Sequence, residues 1–498
     1  MTARAQAPPW QTAVASLGHF CTVKATAIGP EGDVYLVGAF AGTPHFGQLV
    51  LNSTEKGQGL DAFVAKWSPA SQQFVWAKRI GGTASDEAQA VAVYGGAVYV
   101  TGRFSSLHLR VGPLTLTNAD TVASEHRLDK ETTDVFVTKL TDAGRTAAFI
   151  WAQRAGGAKD DTGLGVAVNG AQVYLMGVCS SPVSQFGPCS LPAPRGEPPE
   201  DAGPAPQQFV AKLTDAGASG RFDWVVPTSG RQGAGTAGAV AVQGADIYVV
   251  GNPANDDDSD GWGDVARTTD SPYVTKLTDA GPSARLVWTQ RIASGSAVSA
   301  VAVSGAKVYL AGWFWQDTLR LGSTVLPKTA SGRNNLVNQN SFVAKLADAG
   351  ARADYVWVQQ AGGTGSCRTS GLAVTGARVY VTGSVWGSAL FGTVALAAAP
   401  SAPLTLYVAR LTDRGATGRY DWVSAVAPPR TYVPPREKPR NFRQMTTPNE
   451  VNTVATRGSR VYIAGGFNGQ LQFGARVLAF AVPTNLAAFL ASFTDSGR

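Results

Sequence analysis

The sequence predicts an all-β fold, a seven-bladed β-propeller of four-stranded antiparallel blades, and three observations carry this prediction. First, variants of an apolar V-Y-x-x-G phrase, each followed by a phrase such as F-V-A-K-L-T-D-A-G, occur seven times. Second, each repeat contains short stretches with the alternation of β-strands. Third, the last repeat lacks its fourth stretch, and the N-terminus supplies a match for it. Such a repeat predicts the architecture before any single motif does. The tyrosines that mark the repeats are Tyr35, Tyr99, Tyr174, Tyr248, Tyr309, Tyr380 and Tyr462.

The second repeat illustrates the strands of one blade. Strands A, B, C and D are predicted at 91–93, 98–101, 135–140 and 149–153, from period-2 alternation and from the turn residues between them. Gly95 and Gly96 join strand A to strand B, and Asp142 and Gly144 supply the turn chemistry between strands C and D. Four antiparallel strands per repeat correspond to one propeller blade.

The two ends of the chain are predicted to share the seventh blade. The last repeat ends at 489–497 with strands A to C only, whereas the segment around Trp10 matches strand D of the other repeats. We therefore expect residues 8–15 to complete this blade with residues 450–493, so that residues 1–498 form a single propeller domain. Closure of the ring removes exposed strand edges. The strand D tryptophans that Trp10 matches are Trp76, Trp151, Trp224, Trp288, Trp357 and Trp422.

Four phrases of the first two repeats resemble the SBBP repeat of bacterial propeller proteins. They are D-A-F-V-A-K at 61–66, W-A-K-R-I-G-G at 76–82, A-V-A-V at 90–93 and V-Y-V-T-G at 98–102. The resemblance implies a seven-bladed propeller that is secreted or displayed at the cell surface. The first ten residues contain no hydrophobic signal core, so either the protein is intracellular or a signal peptide has been removed, and the resemblance favours removal. No stretch approaches the roughly 20 apolar residues of a membrane span.

The connections between strands indicate where binding occurs. Propeller topology places the B–C and D–A connections at one end of each blade, and these connections vary in length, whereas the C–D turns are nearly uniform T-D-A-G. Variable loops on a constant scaffold are the usual binding elements. Most B–C connections contain an apolar residue followed by glycine, which we expect to cover the edge of a blade. These pairs are Phe46-Gly47, Val111-Gly112, Phe186-Gly187, Leu321-Gly322, Phe391-Gly392 and Phe473-Gly474.

One position before strand A recurs in every repeat and has two interpretations. Its side chains are either ligands at the mouth of the axial channel, or hydrogen-bond acceptors that fix the local turn through backbone N–H groups. The residues at this position are Cys21, Asp86, Asp161, Gly235, Ser296, Cys367 and Asn449.

An acidic segment in the fourth repeat is predicted to bind calcium. Residues 256–264 read D-D-D-S-D-G-W-G-D, which places carboxylates at alternate positions with glycine at the bend. The segment resembles the calcium loops of integrin-type propellers, which assigns the ligand roles to Asp256, Asp258, Asp260 and Asp264. It lacks the twelfth-position glutamate of an EF-hand, so a solvated acidic insertion is the alternative interpretation.

A basic, proline-rich segment between the sixth and seventh repeats is the predicted partner-binding region. Prolines keep the segment at 428–443 extended, and its basic and aromatic side chains suit an acidic glycan or a partner protein. A solvated loop is the alternative. The residues assigned to partner binding are Arg430, Tyr432, Arg436, Lys438, Arg440, Phe442 and Arg443.

Two of the four cysteines are candidates for a disulfide. Cys179 follows strand B of the third repeat, and Cys189 lies ten residues later, where a returning hairpin could bring the thiols together. The alternative is a pair of buried, reduced thiols.

The sequence favours a binding protein over an enzyme. None of its four histidines has the spacing of a metal site, no nucleophile motif such as G-x-S-x-G is present, and its net charge of +7 and pI of 9.2 discriminate weakly between partners. We expect a non-enzymatic extracellular or cell-surface scaffold that binds protein or glycan and takes part in a larger surface assembly. Nucleic acid is not the expected partner. The alternatives are an enzyme that acts on an extracellular polymer and a polyanion-binding protein that uses the 428–443 segment.

Overall fold

A computed structural model shows the chain as a seven-bladed β-propeller. It describes residues 6–16, 18–54, 59–120, 132–192, 206–228, 234–253, 271–329, 339–397, 404–429, 449–480 and 486–497. These residues form 40 β-strands and no helix. No described segment therefore forms a helix that could cross a membrane. The all-β prediction and the blade count are confirmed.

The strands follow the predicted A-B-C-D order in each blade, with a short hairpin inserted between B and C in six of them. The N-terminal strand is β1 (Trp10–Ala15). Blade 1 contains β2 (Cys21–Ile28), β3 (Val34–Phe40), the hairpin β4 (His45–Phe46) and β5 (Leu49–Val50), β6 (Asp61–Ser68) and β7 (Gln73–Gly81). Blade 2 contains β8 (Asp86–Tyr94), β9 (Ala97–Phe104), the hairpin β10 (His108–Val111) and β11 (Leu114–Thr117), β12 (Asp134–Asp142) and β13 (Ala147–Gly156). Blade 3 contains β14 (Asp161–Asn169), β15 (Gln172–Cys179), the hairpin β16 (Val183–Phe186) and β17 (Cys189–Pro192), β18 (Gln207–Asp215) and β19 (Gly220–Pro227).

The remaining blades repeat this plan. Blade 4 contains β20 (Ala234–Gln243), β21 (Asp246–Pro253), β22 (Tyr273–Asp279) and β23 (Ala284–Arg291). Blade 5 contains β24 (Ser296–Ser304), β25 (Lys307–Phe314), the hairpin β26 (Thr318–Leu321) and β27 (Thr324–Pro327), β28 (Asn340–Asp348) and β29 (Ala353–Gly363). Blade 6 contains β30 (Cys367–Thr375), β31 (Arg378–Trp386), the hairpin β32 (Ala389–Phe391) and β33 (Val394–Leu396), β34 (Leu404–Asp413) and β35 (Gly418–Val426). Blade 7 contains β36 (Glu450–Arg457), β37 (Arg460–Phe467), the hairpin β38 (Gln470–Phe473) and β39 (Arg476–Ala479), and β40 (Ala487–Thr494).

The chain divides into two compact units. One unit comprises His19–Ala254 and Val274–Thr289, which hold blades 1 to 4 apart from Tyr273 of β22 and the end of β23. The other comprises Met1–Gly18, Asn255–Tyr273 and Gln290–Arg498, which hold β1 and blades 5 to 7. Each blade buries its middle strands most deeply. Every residue of β3 is buried, for example, which is why the B strands read as continuous apolar runs.

The glycine of the V-Y-x-x-G phrase is required by a close approach between strands A and B. A Cβ atom on Gly102 in β9 would collide with the carbonyl oxygen of Glu87 in β8. The pairing register of these strands shifts between Ala88 and Ala90, as it does at the corresponding place in every blade. Such a bulge bends one strand towards its neighbour. Glycine therefore recurs because no larger residue fits.

The B–C hairpins cover blade edges, as the sequence predicts for their apolar-glycine pairs. Val111 pairs with Leu114, so the two-residue loop is Gly112-Pro113, and Gly112 has a φ of 59°. Glycine first in such a loop is the signature of a type II′ turn. Val111 is fully buried and also pairs with Ile80 in β7, the outer strand of the preceding blade. β16 extends β13 and β32 extends β29 in the same way.

The predicted closure by the N-terminal strand is confirmed. β1 pairs antiparallel with β40, and the sheet order is β1-β40-β37-β36, so β1 is strand D of blade 7. The indole of Trp10 packs edge-on against Phe473 and Phe493, with ring centroids 5.1 and 5.2 Å away. Ser16 continues the pairing, since its backbone N–H donates to the carbonyl of Ala488 at 2.9 Å.

Neighbouring blades are joined by a repeated buried cluster around the aspartate of the C–D turn. Asp413 of blade 6 accepts hydrogen bonds from three residues of blade 5: Tyr309 at 2.7 Å, Lys345 at 3.0 Å and Trp357 at 3.0 Å. It also accepts the N–H of Gly415 at 3.0 Å, which fixes its own turn. We call this arrangement the blade latch. The T-D-A-G turn thus has a second role that its sequence does not reveal.

The same latch recurs in both units, with variations. Asp142, Asp215 and Asp279 accept from the tyrosine and lysine of the preceding blade, at 2.5–2.8 Å. In blade 6, Arg410 replaces the lysine and binds both carboxylate oxygens of Asp495, at 2.7 and 2.8 Å. These carboxylates are buried with their cations, so the latches contribute to the packing of successive blades.

Candidate functional site

The recurring position before strand A fixes turns, and the structure supports this interpretation over the ligand interpretation. Asp86 is fully buried and accepts hydrogen bonds from the backbone N–H of Gly82 at 2.7 Å and from the Ser106 hydroxyl at 2.7 Å. Desolvation by burial raises the pKa of Asp86 to about 7. Asp161 accepts from Gly157 N–H at 2.7 Å in the same manner. Because these carboxyl groups have no exposed surface, they cannot reach a ligand.

A second pair of buried carboxylates is also structural. Asp134 at the start of β12 forms an ion pair with Arg154 of β13 at 2.8 Å, and burial raises the pKa of Asp134 to about 6. Its other carboxylate oxygen has no hydrogen-bond partner. Asp61 and Arg79 form the corresponding pair in blade 1 at 3.3 Å. The aspartates are 0% and 2% exposed, which leaves no surface for substrate.

An exposed arginine stacked on a tryptophan is the feature of the described residues best suited to binding. Arg368 is the second residue of β30, the inner strand of blade 6, and its guanidinium carbon lies 5.6 Å from the ring centroid of Trp313 in blade 5. Its Nε atom donates to the side-chain oxygen of Gln339. Gln339 is itself buried, and its carbonyl accepts the N–H of Cys367 at 2.7 Å. We call Trp313, Gln339 and Arg368 the Arg368 site.

The tryptophans are placed by the end of strand B in blade 5. Tyr309 of β25 points towards blade 6, where its hydroxyl donates to Asp413. Trp313 follows at even spacing within β25, so it projects to the same side as Tyr309, whereas Trp315 lies just beyond the end of the strand; both indoles are only partly buried. At the equivalent of Trp313, blade 6 has Ser384 opposite Arg368. The B–C and D–A connections meet at this end of the blades, where the sequence predicts binding.

The electrostatics distinguish Arg368 from Arg103, the arginine at the corresponding strand pair of blade 2. Desolvation by the surrounding protein lowers the pKa of Arg368, and no carboxylate of the described residues counteracts this shift. In blade 2, by contrast, Arg103 lies 2.6 Å from Glu87, which occupies the strand A position of Arg368. Arg368 is therefore a desolvated cation in an accessible place. Cation–π contact with an indole compensates only part of that loss of hydration.

Sequence reasoning did not single out the Arg368 site, although a signal was present. The repeat after V-Y in blade 5 reads L-A-G-W-F-W, which places two tryptophans where blade 2 has Arg103 and Ser105. The residue that follows the recurring position before strand A also differs between repeats: it is Arg368 in blade 6, but Glu87 in blade 2 and Thr162 in blade 3. What the sequence could not show is that blade packing brings Arg368 onto Trp313.

The predicted metal and partner residues lie outside the described residues. This applies to the calcium ligands Asp256, Asp258, Asp260 and Asp264. It also applies to the partner-binding residues Arg430, Tyr432, Arg436, Lys438, Arg440, Phe442 and Arg443. Among the residues that the structure does describe, no cluster of His, Cys, Asp or Glu has the arrangement of a metal site.

The predicted disulfide between Cys179 and Cys189 is not formed in the structure, where both thiols are free. The reason is the hairpin between strands B and C. Cys179 ends β15 and pairs with Gln207, whereas Cys189 begins β17 and pairs with Phe186 in the hairpin that extends blade 2. The Cys189 sulfur lies 3.9 Å from the carbonyl oxygen of Phe222. Burial raises the pKa of Cys179, which keeps that thiol protonated.

Comparisons with known proteins identify structural similarity only. No family model matches the chain, and no curated protein matches its sequence. Hydrazine synthase of Kuenenia stuttgartiensis is similar at 11% identity and a TM-score of 0.40, over 78% of this chain and 76% of that one. A protein of unknown function from Dyadobacter fermentans is 13% identical with a TM-score of 0.37, over 80% of this chain and 92% of that one. Quinohemoprotein alcohol dehydrogenase of Pseudomonas putida is 9% identical with a TM-score of 0.37, over 97% of this chain and 76% of that one. Likeness this low carries no argument about what this chain does.

Proposed function

We propose that the protein is a non-enzymatic binding scaffold of the SBBP-repeat type, located outside the cell or at its surface. Its ligands are proteins or glycans, and they bind at the end of the blades that carries the B–C and D–A connections. The observation that supports this proposal is the Arg368 site. It presents a cation that forms no ion pair with the described residues and the partly buried indole of Trp313 at that end, whereas blade 2 has Arg103 paired with Glu87 and blade 6 has Ser384 at the position of Trp313.

The opposite end of the blades supports the proposal by contrast. There the C–D turns are held by latches whose aspartates are occupied by their own blade and by the preceding one, as at Asp413. Gly144, Gly217 and Gly415 all have φ values between 82° and 85°, so these turns have one backbone form. Uniform turns give a scaffold, whereas departures from the repeat give specificity.

Site-specific blocking tests which end binds. In a Cys189→Ser background, Gln316→Cys and Ala351→Cys each place an exposed thiol, the first near the Arg368 site and the second on a C–D turn. A bulky maleimide at position 316 is expected to reduce binding to a panel of purified glycans and extracellular proteins about tenfold or more. The same label at position 351 is expected to leave binding unchanged. Equal effects at both positions, or no saturable binding to any member of the panel, would reject the proposal.

Calcium binding by the acidic segment forms part of the proposal. Carboxylates at alternate positions repel one another unless a cation relieves them, and Ca²⁺ accepts such oxygens at about 2.3–2.6 Å. Calcium is expected to raise the melting temperature by a few degrees, since a bound ion stabilises the folded state. Asp258→Ala with Asp260→Ala should abolish that increase, and Asp257→Ala, which alternation turns away from the ion, should preserve it. If calorimetry detects no saturable calcium binding, the calcium proposal is wrong and the segment is a solvated acidic insertion.

A further inference from the structure

We propose that the Arg368 site binds the acidic group of a charged polysaccharide, with a carboxylate or sulfate on the guanidinium and the sugar ring against the neighbouring indole of Trp313. This inference rests on the proposed binding function and adds the chemical class of the ligand. Its first basis is the geometry of Arg368. The Nε atom is engaged by Gln339 and the planar group lies over Trp313, which together hold the guanidinium in one orientation.

The terminal nitrogens of Arg368 suit an anion. Among the described residues, neither Nη atom of Arg368 forms a hydrogen bond, and the engaged Nε atom leaves these two nitrogens as the donors that the proposal assigns to a ligand. A guanidinium binds carboxylate or sulfate oxygens through two parallel hydrogen bonds, and such charge-assisted pairs are stronger than neutral ones. Partial desolvation strengthens the attraction further, because the cation has already lost some of its hydration.

The indole of Trp313 favours a sugar over an extended polyanion. It offers a flat, partly buried apolar surface beside a single cation, which fits a ligand with an apolar ring face and one acidic substituent. A groove for nucleic acid follows the backbone with a row of cations. Here the nearby Lys328 is engaged, since it lies 3.3 Å from Asp317 and donates to the Trp315 carbonyl at 3.1 Å.

A neighbouring carboxylate limits the charge density that the site tolerates. Glu450 in β36 occupies the strand A position that Arg368 occupies in β30, and its Oε1 atom accepts a hydrogen bond from Asn452 at 2.8 Å. A ligand that reaches from Arg368 towards blade 7 would meet this negative charge. The positive charge of Arg368 and the negative charge of Glu450 on the next inner strand therefore favour a ligand whose acidic groups are far apart along its chain. They disfavour a ligand with closely spaced phosphates.

The test uses defined oligosaccharides and calorimetry. The full-length protein is titrated with a tetrauronate, its neutral methyl ester and a sulfated oligosaccharide of equal length. The wild-type protein is expected to bind the tetrauronate or the sulfated chain, and Arg368→Ala to weaken that affinity about 10- to 100-fold, the range of a charge-assisted hydrogen-bond pair. Arg368→Lys should recover part of the loss. The preferred acid distinguishes a uronate site from a sulfate site.

Matched controls separate this inference from the proposed function. Arg103→Ala removes a strand B arginine that is already paired with Glu87 of the inner strand, and it should leave binding unchanged. An unchanged melting temperature shows that Arg368→Ala folds. If the neutral ester binds as tightly as the acid and Arg368→Ala has no effect, the acidic subsite is rejected while the scaffold function stands. Tighter binding of polyglutamate or of an oligonucleotide would reject the glycan class, and no binding of any probe would reject both.

Discussion

Replacement of Asp413 by alanine is expected to lower the free energy of unfolding by about 3–5 kcal/mol, the range for removing one partner of a buried ion pair. The Asp413 side chain is 1% exposed and that of Lys345 is 6% exposed, at a separation of 2.9 Å. Without the carboxylate, the buried ammonium of Lys345 would lose its counter-ion. Tyr309 and Trp357 would lose their acceptor as well, and each unsatisfied buried donor adds to the cost.

A surface ion pair in the preceding blade provides the matched control. Asp354 lies 3.0 Å from Arg352, but these side chains are 62% and 78% exposed. Such pairs contribute about 0–1 kcal/mol, so Asp354→Ala should change stability little. Urea and thermal unfolding of the two variants beside the wild type measure the difference. If Asp413→Ala and Asp354→Ala destabilise the protein equally, the latch does not stabilise the contact between blades 5 and 6.

The destabilisation should depend on pH in a defined direction. Burial alone would raise the pKa of Asp413, but the hydrogen bonds from Lys345, Tyr309 and Trp357 outweigh it and lower the pKa. A carboxyl group with a lowered folded-state pKa stabilises the protein above its unfolded pKa of about 3.9, and this contribution is lost as the pH falls through the folded value. The difference between wild type and Asp413→Ala should therefore be largest near neutral pH and shrink below about pH 4.

The fold could be predicted from the sequence because its signals repeat. A single V-Y-x-x-G phrase is weak evidence for a strand, but seven of them with matching strand D tryptophans leave few alternatives. Trp10 was identifiable as the missing strand for the same reason. Each such inference compares positions within one repeat, where spacing along the chain is enough.

The contacts between repeats could not be predicted, because they join residues far apart in sequence. Tyr35 and Asp142 are separated by 107 positions, and both were visible only as markers of their own repeats. Gly112-Pro113 indicates a turn, yet nothing local shows that β10 continues the sheet of the preceding blade. Arg368 and Trp313 meet through the same packing of adjacent blades. The proposed binding site therefore depends on contacts between adjacent blades, which a repeat pattern in the sequence does not describe.

Removal of residues 1–15 is expected to destabilise the protein more than any single substitution discussed above. The deletion removes β1, whose residues from Trp10 to Ala15 pair with Phe489–Phe493 of β40. It therefore leaves the outer edge of β40 unpaired and exposes Phe473 and Phe493, which are 0% and 1% exposed when Trp10 covers them. An open edge also provides a site for association between chains. We expect a lower unfolding midpoint and concentration-dependent aggregation.

Three variants and one peptide distinguish the contribution of β1 backbone pairing from that of the Trp10 side chain. Trp10→Ala should cost less than the roughly 3–5 kcal/mol of a fully buried aromatic truncation, because the indole is partly buried, whereas Trp10→Phe should retain most of the packing against Phe473. Removal of residues 1–5 alone leaves β1 intact and should have little effect. A synthetic peptide of residues 6–18 added to the 1–15 deletion should restore the melting temperature, because strand addition to an open edge rebuilds the backbone pairing. If the deletion melts at the wild-type temperature, or the peptide gives no recovery at saturating concentration, then pairing of β1 with β40 does not close blade 7.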